Sequence, residues 1–424
     1  MRRSLTVVAA AAWFGAVATS AQLAFPVIEL THPALGYDQP TSDAVASLNR
    51  RLDAGEVQLG FEDRTGYLGS VLQALAVPVE SQIALFSKTS LQAELIGPEN
   101  PRTIFFNDDV AVAWMAGGFI EVAAQDPRTG PVFYLLSQMP SGAPRAVRDG
   151  RCLRCHYSAN TLGVPGYLVR SIPSGLDGGI LPWLGNYLTD HRSPLAERWG
   201  GWYVTGRAAS GHHLGNAPVA DRSAQDVVVQ EDNLRLTTLA GRFDTRAYLS
   251  PHSDIVALLV FDHQMYLLNL LTRLGWEARI LAHDGASHDV VMTRIAERAS
   301  ETVDYMLFVN EAPLDHVQGT SEFARSFSAQ GPRDSRGRSL RDLDLERRLL
   351  RYPCSYMIHS DTFAALPAAA KEAVYRRLWQ VLSGSADGPA YAHLSADDRQ
   401  AIVEILRDTL SDLPDVFSPL PSRH

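Results

Sequence analysis

The feature that most constrains this chain is the run Cys152-Leu153-Arg154-Cys155-His156. The 424 residues hold only three cysteines, and an odd number cannot close into a set of disulfides. Two of them stand three positions apart, directly before a histidine. On a single helical turn that spacing brings both thiols to one side. The imidazole follows immediately.

Two thiols so placed can add to the two vinyl groups of one porphyrin, and the next histidine can then reach the iron from the proximal side. This is the attachment spacing of c-type haem. From the composition, with 3 cysteines and 13 histidines, about 6 × 10⁻⁴ such runs are expected by chance. Three rival readings use the same residues. A Cys152–Cys155 redox disulfide calls for a thioredoxin-like βαβ setting, which the sequence lacks. A zinc site needs a fourth ligand, and no second Cys-x-x-Cys or finger-spaced histidine pair occurs. Coincidence is the third. The expectation is one covalent haem c, tethered by Cys152 and Cys155, with His156 as proximal iron ligand. Cys354, among Tyr352, Pro353 and Tyr356, then reads as a buried inert thiol.

The N-terminus gives the expected compartment. Arg2 and Arg3 precede an apolar stretch over residues 5–18, and Thr19-Ser20-Ala21 offers small residues for cleavage. That is the layout of a secretory signal peptide over residues 1–21, with an uncleaved periplasm-facing anchor as the alternative. Loss of Arg2 and Arg3 changes the charge from −9 to 36 − 47 = −11. A chain this acidic, without a basic patch, is not expected to bind nucleic acid. The longest later apolar run, residues 255–261, is cut by Asp262 and His263, so no membrane span is expected after signal removal. The expected location is the periplasm.

The pattern along the chain predicts an α+β fold over residues 22–424, read as one haem-binding unit. In the part 22–138, helices are expected at residues 41–54 and 67–76. A small antiparallel meander follows, with strands at 103–106, 110–115, 119–124 and 132–136. Asn107-Asp108-Asp109, Gly117-Gly118 and residues 126–130 supply its turns. Residues 139–250, rich in Gly, Pro, Ser and Asn, read as an irregular haem-attachment region. The part 251–424 is mainly helical. Ser250-Pro251 predicts a helix start, and Gly275 its end. Further helices are expected at 292–309, 340–350, 367–382 and 395–410, the last with a Ser395/Asp398 capping box. Residues 319–338 read as an exposed loop.

The distal side of the iron is open to several candidates. His263 and His252, eleven apart, are expected on one face of the same helix; Met139 lies in a loop before the motif. Met265, His212 and His213 are further options. Arg151, Arg154 and Arg170 flank the motif and can pair with haem propionates. Trp183, Trp199 and Trp202 can pack on the porphyrin or in the core.

The motif resembles that of cytochromes c. The longer text is similar to a group of large exported bacterial proteins with a cytochrome c domain. The stretches that carry this likeness are Phe106-Asn107-Asp108-Asp109, Cys155-His156 followed by residues 163–170, Arg198-Trp199-Gly200-Gly201-Trp202-Tyr203-Val204-Thr205-Gly206, Ser253-Asp254-Ile255-Val256-Ala257-Leu258 and Tyr375-Arg376-Arg377-Leu378. The resemblance spans most of the mature chain and implies haem binding and electron transfer; a redox partner protein is expected for such a carrier. The chain departs from small cytochromes c in two respects. About 130 residues separate the expected cleavage site from the motif, and the next methionine after His156 is Met265. With a single Cys-x-x-Cys-His it also departs from di-haem peroxidases. An electron carrier is therefore expected ahead of a haem enzyme with an open distal site, or a haem-based sensor or non-catalytic subunit.

Overall fold

The computed structural model describes residues 26–140, 144–209, 211–386 and 388–417. The expected signal peptide lies outside them. Two short helices come first, α1 (Ala44–Asp53) and α2 (Leu68–Ala74). The α1 start falls at Asp43, whose carboxylate accepts from the amides of Val45 and Ala46.

The meander then builds a larger sheet than the sequence pattern predicts. Its strands are β1 (Ile83–Leu85), β2 (Arg102–Phe106), β3 (Val110–Trp114), β4 (Ile120–Asp126), β5 (Gly130–Leu136) and β6 (Ala146–Arg148). The helical turn α3 (Leu153–His156) and the two-stranded pair β7 (Arg170–Ser171) and β8 (Tyr187–Leu188) follow. Strand β9 (Trp202–Tyr203) returns to the first sheet, whose order is β6-β5-β4-β3-β2-β1-β9, antiparallel throughout. The strands alternate as a two-sided sheet must. Phe105, Val112, Val122 and Tyr134 stand in register on one face, in a core shared with α1 and α2. Phe106 and Ala111 belong to the opposite face and pack into the larger core under α4 (Ile255–His283).

Helix α4 differs from its prediction at both ends. It begins at Ile255, capped by Asp254, which accepts from Val256 and, at 2.7 Å each, from Thr320 and Ser321. Ser250-Pro251 lies outside the helix, so His252 is not on it. The helix also runs through Gly275, since the neighbouring Trp276 is buried. That burial outweighs the roughly 1 kcal/mol that a helical glycine costs. With 29 residues and a mean hydropathy of 1.5 in its most apolar window, α4 is long and apolar enough to cross a membrane. That corrects the shorter apolar run read from sequence. Here 94% of the window is buried inside the protein, as in a core helix.

The remaining helices are α5 (His288–Met306), α6 (Phe323–Ala329), α7 (Asp361–Ala364), α8 (Ala368–Leu382) and α9 (Ala396–Thr409). α5 and α8 pack on α4 and on each other. The Ser395/Asp398 capping box of α9 is present. Two expectations fail. Residues 319–338 contain α6, whose Phe323 and Phe327 are buried, Phe323 against Phe106. Residues 340–350 are not helical. The Asp344 carboxylate captures the amides of Glu346 and Arg347, a local turn that competes with the helix.

Candidate functional site

Strand β6 delivers the chain to the Cys-x-x-Cys-His run. The Asp149 amide donates to Phe133 of β5 at 2.9 Å, and the Asp149 carboxylate caps the next turn by accepting from the Arg151 amide. A 3₁₀ turn over Gly150–Cys152 passes directly into α3. Cys152 and Cys155 thus span one continuous helical turn, Cys152 half-buried and Cys155 exposed, both as free thiols. Burial, then the nearby Asp149 and Glu121, push the Cys152 thiol up to about 11.

His156 is held by a two-way clamp. Its Nδ1 pairs with the Gly166 carbonyl at 2.8 Å, and the Gly166 amide donates to the His156 carbonyl at 2.8 Å. The carbonyl can only accept, so Nδ1 carries the proton and Nε2 keeps its lone pair. Burial holds the imidazole below its ordinary value, so it is neutral at neutral pH. Gly166 is required by close approach, because a Cβ there would stand 2.5 Å from Asn269 Oδ1 on α4. Asn269 in turn accepts from the Tyr167 amide and donates to its carbonyl, both at 2.8 Å. The core helix therefore fixes the loop that fixes His156. The His156 ring lies 4.8 Å from that of Phe133. Phe133 also lines a cleft of about 260 Å³ with Leu30, Tyr37, Arg148 and Leu153.

Among the flanking arginines, exposed Arg151 is bound to Asp149, Arg154 is exposed, and Arg170 donates to Asn186 at 2.8 Å. The sequence reading missed Arg102 and Glu121, an ion pair whose charges both act on His156. Burial alone would raise Glu121, but Arg102 and hydrogen bonds from Ser90 and Gln92 hold it below the usual range. The pair joins β2 to β4, so no local pattern could reveal it. Trp183 is 57% exposed, whereas Trp199 and Trp202 are core residues.

None of the three leading distal candidates is placed beside His156. His263 is fully buried in α4, with both ring nitrogens engaged: Nδ1 with His191 Nδ1 and Nε2 with Ser355 Oγ, each at 2.8 Å. Met139 is 73% exposed, in the connection between β5 and β6, whereas the chain enters the motif from the other end of β6. His252 is tied by its carbonyl to Gln82, next to β1. β1 lies five strands from β6, roughly 24 Å at ordinary strand spacing. Met265 and His213 are buried, and His212 is exposed.

His263 instead belongs to a buried polar network. Asp262 pairs with Arg198, at 0% and 1% side-chain exposure, and accepts from the Trp199 indole and the Thr189 hydroxyl. Beside it run His191, His263 and Ser355, with Tyr305 and Phe308 stacked on both imidazoles. Cys354 is wholly buried next to Ser355, its thiol pushed up to about 12 by burial.

Burial pulls His263 down to about 3. The folded state therefore binds fewer protons there than the unfolded chain, whose imidazole titrates near 6.5. The resulting stability is complete above about pH 6.5 and is lost as pH falls toward 3. In His263→Gln, unfolding at pH 5 should take up about one proton fewer than in wild type. Urea unfolding at closely spaced pH values around 5 measures this, and equal slopes of stability against pH would refute it.

No family model matches this chain, and no curated protein or solved structure matches it.

Proposed function

We propose that the chain is an exported c-type cytochrome that carries one covalent haem c on Cys152, Cys155 and His156. The observation that carries this reading is the clamped His156. A metal-binding histidine commonly donates its other ring N–H to a backbone carbonyl, which fixes tautomer and orientation. Here Nδ1 does so with Gly166, and Nε2 is left to coordinate. The two thiols lie on the turn immediately before it, which suits thioether formation to one ring. A zinc reading fares worse. Among the described residues, the one set of three His, Cys, Asp or Glu donors that converges lies elsewhere.

A haem held there supplies one-electron cycling of iron. The chain's own residues bind and orient it. Cys152 and Cys155 tether the ring, and Gly166 and Asn269 fix the imidazole plane. Phe133 and Leu153 offer apolar cover, while the Arg102–Glu121 pair sets the local field around His156. Electron transfer to a redox partner protein in the periplasm is the function these roles serve.

A second reading has a specific observation in its favour. His263 is committed to His191 and Ser355, and neither His252 nor Met139 adjoins the motif. An iron without a sixth protein ligand binds small molecules, as a haem enzyme or sensor does. The test is expression with the cytochrome c maturation apparatus, followed by oxidised and reduced spectra with and without CO. A low-spin species indifferent to CO supports the electron carrier. High-spin iron that binds CO supports the second reading. Absence of covalent haem, with maturation proven on a control cytochrome, refutes both.

A further inference from the structure

At the far end of α4 a second cluster is built from parts distant in sequence. His283 is the last residue of the helix and Asp284 its cap, and His32 reaches them from the N-terminal segment. His32 Nε2 lies 3.3 Å from Asp284 Oδ1, and His283 Nδ1 lies 3.0 Å from the same oxygen. The three ligand atoms fall within 4.8 Å of one another. Tetrahedral zinc with bonds near 2.0–2.1 Å separates its ligand atoms by about 3.3 Å. The two separations from Asp284 Oδ1 are already close to that edge and the remaining pair lies within 4.8 Å, so a modest closing movement admits an ion.

We propose that His32, His283 and Asp284 form a binding site for a borderline divalent metal ion, with zinc as the class representative. Two imidazoles and one carboxylate are the donor types such an ion prefers, whereas calcium and magnesium prefer all-oxygen shells. The site also stands at the C-terminus of a 29-residue helix, where the unpaired carbonyls favour a cation. Coordination moves the His32 ring proton to Nδ1 and gives up a 3.3 Å hydrogen bond from the Ala34 amide, while bonds to the ion replace the two ring N–H contacts with Asp284.

The site adjoins a cleft through His283. His283 lines a cleft of about 510 Å³ together with Arg128, Arg279, Ala34, Ala365 and Pro367. Burial, and then the charge of Arg128, lower Arg279 to about 10, so the two guanidiniums repel each other across the cleft. A metal with an open position beside two arginines suits a small oxyanion, such as a carboxylate or phosphate, as exchangeable ligand. The metal would also staple the segment around His32 to the core. That segment carries Leu30 and Tyr37, which line the cleft beside the Cys-x-x-Cys-His run.

The experiment is calorimetric titration of zinc sulfate into the full-length haem-loaded protein, freed of any histidine tag, in a non-chelating buffer at pH 7.5. The same titration into Cys152→Ser/Cys155→Ser makes the outcome independent of haem attachment. The expected result is one zinc per chain in both proteins. His32→Ala and His283→Ala, at half-buried and exposed positions, should each bind at least tenfold more weakly while keeping their circular dichroism. Calcium should give no heat. No stoichiometric binding, or affinity unchanged in both histidine variants, overturns the proposal.

Discussion

Replacing Cys152 and Cys155 together with serine should remove all haem that survives denaturation, while the polypeptide itself still folds. On the proposed reading the loss is complete, because each thiol would supply one of the two covalent links and Cys354 cannot substitute for either. It is wholly buried beside Ser355, and burial keeps its thiol protonated. Folding should persist because Cys155 is exposed and Cys152 only half-buried. Neither thiol belongs to the apolar cores that hold the sheet to α4. The measurement is haem-linked peroxidase staining of a denaturing gel, paired with far-ultraviolet circular dichroism. Retention of covalent haem in the double variant would remove the motif from the account.

Asp262→Ala should be the most damaging single core substitution, lowering stability by about 3–5 kcal/mol. The carboxylate is fully buried and opposes the Arg198 guanidinium, itself 1% exposed. Without it, Arg198 keeps only the carbonyls of Ser193 and His191 as acceptors, which leaves a buried charge uncompensated. The Trp199 indole also loses its hydrogen-bond acceptor. Burial costs Asp262 dearly even in the native protein, pushing its carboxyl up to about 6 against the pull of Arg198. Asp262→Asn, which keeps an acceptor for Trp199, should cost less than the alanine. Urea denaturation midpoints of the two variants decide this. A loss below about 1 kcal/mol in Asp262→Ala would show that the pair is not an obligate part of the core.

The elements whose signals are local were legible in the sequence. Strands β2 to β5 announce themselves by short β-rich runs between Asn-Asp-Asp, Gly-Gly and Asp-Pro-Arg turns. The α9 capping box lies within four residues. The Cys-x-x-Cys-His run is visible in the sequence, but the helical turn that carries it lies in a stretch expected to be irregular. What escaped depends on partners distant in the chain. The start of α4 is fixed at Asp254 partly by Thr320 and Ser321, about 66 residues on. A helix is expected over residues 340–350, yet Asp344 diverts the backbone into a local turn. His263, flanking an apolar run, looked like a group facing a cofactor. Its partners, His191 and Ser355, come from 72 residues before it and 92 after. The Gly166 clamp on His156 is the counterpart within the candidate site. Gly166 lies ten residues beyond the histidine, and the need for glycine there is set by Asn269 on α4.

Cys152, Cys155 and His156 are proposed to serve one covalent haem. Intact mass of the protein, expressed with the maturation apparatus alongside a control cytochrome and measured after full denaturation, tests this. The expected result is a polypeptide heavier by one haem, with that added mass confined to the peptide containing Cys152 and Cys155. A chain of unmodified mass, with the control fully haem-loaded, would contradict it.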